Sequence, residues 1–208
     1  MSHSSFWSLS TVVVVTVSAL SLSLSGCGTA FEQAAEANPP SSKSMSAVKP
    51  EAQYDEKGEL MRPDNHREWV FIGAPVTPND MNNGKAAFPE FHNVYINPSS
   101  YQNYKKTGQF ADGTVILKEL VSVGEKSMAS GNGYFQGEFA SLEAMVKDTK
   151  RFESEPGGWA FFRFGEAPNY NKTGARMKTE SCNTCHSTAD EDYVFTDTYP
   201  VLRAAKPQ

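Results

Sequence analysis

Along this chain the spacing of apolar positions changes several times, and each change marks an element. "EWVFIG" (68–73) and "FHNVYIN" (91–97) are short runs of β-branched and aromatic residues, which predicts two strands. "PSSYQNYKKTG" (98–108) has Pro98 in its first turn and Gly108 just past its end, the punctuation of a short helix. Asp112-Gly113 turns the chain into "TVILKELVSV" (114–123), the strongest strand pattern in the sequence. Gly131-Asn132-Gly133 predicts a further turn before "YFQGEFASLEAMV" (134–146), and "GGWAFFRFG" (157–165) predicts another strand. Residues 143–147 fit a strand or a helix, and periodicity alone does not separate the two. The sum is a mostly β domain: an antiparallel sheet with a few short helices and a Cys/His segment after its last strand.

The N-terminal pattern differs. Residues 1–26 carry no Lys, Arg, Asp or Glu, and "TVVVVTVSALSLSLSG" has the length of a signal peptide, although the usual positive leading region is missing. Leu24-Ser25-Gly26-Cys27 resembles a bacterial lipobox, so either Cys27 is lipidated as a membrane tether or the segment is cleaved nearby as an ordinary export signal. Both place the domain in the periplasm. Residues 27–53, including "ANPPSSKSMSAVKP", have too few bulky apolar side chains to bury and predict a flexible linker. The folded domain is then 54–208, long enough for one hydrophobic core. A net charge of −5 with no basic stripe excludes a general nucleic-acid surface.

Chemistry concentrates in "ESCNTCHS", where Cys182 and Cys185 are followed by His186. Structural zinc needs four ligands, and the only other cysteine is Cys27, with no histidine pair nearby. A redox dithiol requires a βαβ context and leaves the following histidine unexplained, and a disulfide across so short a loop adds little stability. Covalent haem attachment accounts for all three residues: two thiols one helical turn apart add to the two vinyl groups, and the next imidazole becomes the axial ligand. Thr179 is a candidate N-cap for the helix that holds this spacing. His66 and His92 are the remaining histidines of the domain, and neither they nor any Met lies in a ligand context, which predicts an open sixth position.

One strand carries a second signal. In "VILKELV", Ile116 and Leu120 share a face with Lys118, while Val115, Leu117 and Val121 share the other with Glu119. Both faces are apolar, so one member of the Lys118–Glu119 pair is expected to point inward, where a charge must be paired or chemically used. Lys105 and Lys106 fall on a polar helix and predict ordinary surface charge.

The stretches "KGELMRPDNHREWVFIG", "FHNVYINPSSYQNYKKTGQFADGTVILKELVSVG", "SGNGYFQGEF", "GGWAFFRF", "CNTCH" and "VFTDTYPVLRAAK" together resemble the cytochrome P-460 family from about Asp55 to Arg203. The resemblance implies a β-rich homodimer with one haem c. It also implies hydroxylamine oxidation at a five-coordinate iron, with electrons passed to another c-type cytochrome. It implies a lysine bonded to the haem edge, matching Lys118, and a distal carboxylate acting as base, matching Glu143, with Glu138 as second choice. Near the distal pocket the family pattern has an arginine where this chain has His92. A sister group, the beta class of cytochrome c-prime, shares the fold but binds nitric oxide behind an apolar cap. Two functions therefore stay open: a hydroxylamine-oxidising enzyme, or a non-catalytic haem protein that binds nitric oxide or relays electrons. Lys118 and Glu143 together favour the enzyme, since a gas carrier needs neither.

Overall fold

The computed structural model describes residues 52–207. The signal segment, Cys27 and nearly all of the linker lie outside the described residues. In chain order the elements are β1 (Leu60–Met61), β2 (Val70–Gly73), β3 (Phe91–Ile96), α1 (Pro98–Thr107), β4 (Val115–Val123), β5 (Ser127–Met128), β6 (Gly131–Asn132), β7 (Gln136–Lys147), β8 (Trp159–Glu166), β9 (Thr173–Arg176), α2 (Thr179–His186) and α3 (Pro200–Ala205). Seven strands form one antiparallel sheet in the order β1-β9-β8-β7-β4-β3-β2, and β5 and β6 form a separate hairpin. The expected mostly β domain with short helices, one of them near the C-terminus, is what the chain forms.

The centre of the sheet is apolar on both sides because β4 is. Val115 and Leu117 enter one core with Leu142, Phe162 and Trp69, while Ile116 enters the other with Ile96, Met145 and Trp159. Burying each such side chain contributes about 1.5–3 kcal/mol. α1 and α3 cover the second face through Tyr104 and Leu202, both fully buried. α1 starts at Pro98 and stops at Gly108, whose positive φ of 69° closes the helix in the left-handed conformation.

Residues 143–147 are strand. Pairing with both β4 and β8 satisfies this backbone on two sides, and side chains alternate between the cores, Met145 to one and Ala144 and Val146 to the other. Gly131-Asn132 is not a turn but the strand β6, paired with Ser127–Met128 across a two-residue connection at Ala129-Ser130. Lys118 and Glu119 do not divide into one inward and one outward residue. Glu119 is 1 % exposed on one face, ion-paired to Arg67 at 2.5 Å, and Lys118 is 24 % exposed on the other. Both are turned away from bulk solvent because both faces of β4 are covered.

Candidate functional site

The register of the sheet places the site in rungs. On the face shared with α2, Ile96, Ile116, Met145 and Phe161 form one rung across β3, β4, β7 and β8. Two residues along, about 6.7 Å away, the next rung is Val94, Lys118, Glu143 and Arg163, and the one after contains His92 and Leu120. The charged rung is therefore a direct consequence of strand pairing. Lys118 Nζ lies 2.9 Å from Glu143 Oε2, and Arg163 Nη1 lies 3.7 Å from Oε1 of the same carboxylate. Glu143 is 14 % exposed, so the pair is largely withdrawn from water.

The opposite wall is α2. Its residues Cys182, Cys185 and His186 line the same cavity, of about 240 Å³, as Lys118, Glu143 and His92. Both cysteines are free thiols, Cys182 half-buried with Sγ 4.0 Å from Met177 Sδ and Cys185 exposed. Burial pushes the Cys182 thiol up from its ordinary value. The His186 ring is wedged between Phe161 and Phe195, with centroid separations of 4.8 and 5.2 Å. Its Nδ1 stands 2.8 Å from the Tyr193 carbonyl. A carbonyl only accepts, so Nδ1 carries the proton and Nε2 holds the lone pair. Burial lowers the imidazole below its usual value, which keeps that lone pair free at neutral pH.

The carbonyl that orients His186 is itself held by an unusual loop. Asp192 and Tyr193 both have positive φ, 46° and 64°, a conformation that costs energy in non-glycine residues and persists only where the surroundings fix it. Asp192 is fixed by Lys147, 2.5 Å from its carboxylate, and by the Trp159 indole N–H at 3.3 Å. The Tyr193 ring packs where a Cβ on Gly157 would approach within 2.7 Å, so only glycine fits there.

A third wall comes from the segment before β3. Phe88 lines the cavity with Lys118 Nζ 4.4 Å above its ring, and it meets His92 edge to face at 5.8 Å. Asp80 ties the preceding segment to the β5–β6 side of the molecule through Lys126, at 2.5 Å, and the Tyr134 hydroxyl, at 2.9 Å. His92 has its pKa lowered to about 4, mainly by burial and then by the Lys118 charge, so it is neutral.

The residues expected from sequence thus converge: Cys182, Cys185, His186, Lys118, Glu143 and His92 share one cavity. Glu138 does not belong; it is exposed near the start of β7. His66 lies on the far face with Glu119, and Lys105 and Lys106 are exposed on α1. Thr179 does not cap α2. It is the first helical residue, one position past the cap, and its hydroxyl donates to Glu155, a carboxylate that also pairs with Arg176. Sequence reasoning missed Arg163, Phe88 and the Asp192–Tyr193 loop. Arg163 could have been found by the logic that found Lys118, since it interrupts the apolar alternation of "WAFFRF". The loop residues carry no such signal, because their role runs through a backbone carbonyl.

Among the described residues no three His, Cys, Asp or Glu side chains converge as a preformed ion site. What α2 offers the cavity is a pair of thiols and one imidazole lone pair beside apolar walls, the donor set for a flat metal macrocycle rather than a bare ion. No curated protein matches the chain. The family model for cytochrome P460 matches residues 63–196, from just before β2 to just before α3, a span that contains every cavity residue named above. This chain belongs to the cytochrome P460 family and is a haem cytochrome.

Proposed function

We propose that the protein is a periplasmic mono-haem c-type cytochrome that oxidises hydroxylamine and passes the electrons to another c-type cytochrome. The observation that carries this reading is the Lys118–Glu143 pair, 2.9 Å apart in the same cavity as Cys182, Cys185 and His186. Haem bound there would supply the redox centre and the iron that takes a small nitrogen ligand. Cys182 and Cys185 hold it, each Sγ–H adding across a vinyl group with nothing released. His186 Nε2 would donate to its iron, aimed by the Nδ1–H bond to Tyr193.

Oxidising hydroxylamine removes protons as well as electrons, and an acceptor within reach must take them. Glu143 is that acceptor. Its carboxylate is paired with Lys118 and Arg163, and its partial exposure gives the proton a way out. Lys118 has a further role as a third tether to the macrocycle edge. It must first lose a proton, for which Glu143 is in contact. Bonding it to a bound haem would exchange a ring C–H for C–N and would consume a two-electron oxidant of the peroxide class. The homodimer and a lipid tether through Cys27 complete the reading, both from the family resemblance and the N-terminal sequence.

The test is hydroxylamine-dependent reduction of an artificial electron acceptor by the purified holoprotein. Glu143→Gln should retain haem and fold yet slow turnover by about 10²-fold or more. Unchanged turnover would remove Glu143 as the base. Absence of turnover in the unsubstituted protein favours the nitric-oxide-binding reading, for which the apolar wall at Phe88 and Phe161 speaks.

A further inference from the structure

His92 Nε2 is buried with no hydrogen-bond partner, and among the described residues no other cavity-lining side chain has such an atom. The Phe88 backbone is the ring's hydrogen-bonding neighbour, and Nε2 is not the atom that meets it. A carbonyl accepts, so Nδ1 donates, and the orphaned Nε2 presents a lone pair. The other ionisable groups on the sheet wall satisfy one another: Lys118 with Glu143, and Arg163 with Glu143 and Glu166. An unpartnered buried acceptor is costly and is normally explained by a ligand, a water or a strained function. A ligand that donates N–H or O–H recovers that cost, whereas one without a donor leaves it standing.

Hydroxylamine carries donors on both nitrogen and oxygen, and nitric oxide carries none. We propose that His92 Nε2 accepts a hydrogen bond from hydroxylamine in the cavity and thereby makes the site prefer donor-bearing ligands over nitric oxide. This rests on hydroxylamine being the substrate, as proposed above. His92 selects and orients; it is not the base, because a ring held neutral down to about pH 4 takes up protons poorly. His92 stands one rung beyond Lys118 and lines the same cavity as Glu143.

The test is optical titration of the ferric holoprotein with hydroxylamine, in the absence of an electron acceptor, and separately with nitric oxide. Unsubstituted protein, His92→Leu and His92→Gln are compared. His92→Leu should weaken hydroxylamine binding about tenfold while nitric oxide affinity stays within about twofold. His92→Gln, which keeps an acceptor oxygen, should recover part of the loss. Equal weakening of both ligands, no weakening, or no hydroxylamine binding by the unsubstituted protein overturns the proposal. So does a low-spin resting spectrum that becomes high-spin in His92→Leu, which makes His92 an axial ligand instead. Selective binding without turnover refutes only the catalytic reading; turnover with unaltered binding in His92→Leu refutes only the role of His92.

Discussion

Between about pH 4 and pH 6.5 the state of His92 links the cavity to stability. Burial first, and then the neighbouring Lys118 charge, lower its pKa from 6.5 to about 4. In that window the unfolded chain binds a proton that the folded chain refuses, so acid favours unfolding. The contribution is complete above about pH 6.5 and is lost as pH falls towards 4. Urea unfolding should therefore show stability dropping between about pH 7.5 and pH 4.5 by roughly 2.5 kcal/mol more in the unsubstituted protein than in His92→Leu. An equal drop in both would mean that His92 is not held neutral by the fold. Glu119 shows the other outcome for a buried charge. Burial alone would raise its carboxyl, but His66 and Arg67 beside it hold it below the usual value, and it serves the far core rather than the cavity. Its neighbour Lys118 was legible from sequence because an apolar run on both faces forces an explanation for any charge inside it. Which of the two faced the site was not legible, because β4 is covered on both sides.

α2 is short, and the loop between it and α3 sets the orientation of its last residue. Asp192 and Tyr193 hold positive φ against their own preference, and the Tyr193 carbonyl is what fixes the His186 tautomer. Asp192→Ala removes the Lys147 and Trp159 contacts that hold this loop. The expected result is a holoprotein that keeps its thioether-bound haem but shows a mixed or altered spin state, as His186 loses its orientation. Asp192→Asn, which retains an acceptor for Trp159 and tolerates positive φ, should restore most of the original spectrum. Identical spectra for all three proteins would show that the loop does not position the imidazole. The placing of Cys182, Cys185 and His186 on one short helix was legible in "CNTCH", as was β4 in "TVILKELVSV". The end of β7 was ambiguous, because a short apolar run satisfies both periods until its partners β4 and β8 are known.

At the scale of the molecule, one sheet sorts its faces by function. The face with Leu117, Leu142 and Phe162 is a core, and the face with Lys118 and Glu143 forms a core at one end and a cavity at the other. Non-local pairing brings Lys118 and Glu143 together from positions 25 residues apart and sets them opposite α2. That convergence follows from register, which local sequence patterns do not contain; resemblance to the family anticipated it. Arg163, which completes the charged rung, arrives by the same pairing. The central claim is that one haem is tied to both walls of this cavity, by Cys182 and Cys185 on α2 and by Lys118 on β4. A tryptic digest of the mature protein, read by mass spectrometry, tests it most directly. A single haem-bearing species should contain both the Cys182–Cys185 peptide and the peptide carrying Lys118, and it should reduce to the cysteine peptide alone in Lys118→Leu. Haem found only on the cysteine peptide of the unsubstituted protein would contradict the lysine tether, and haem on neither peptide would contradict the site.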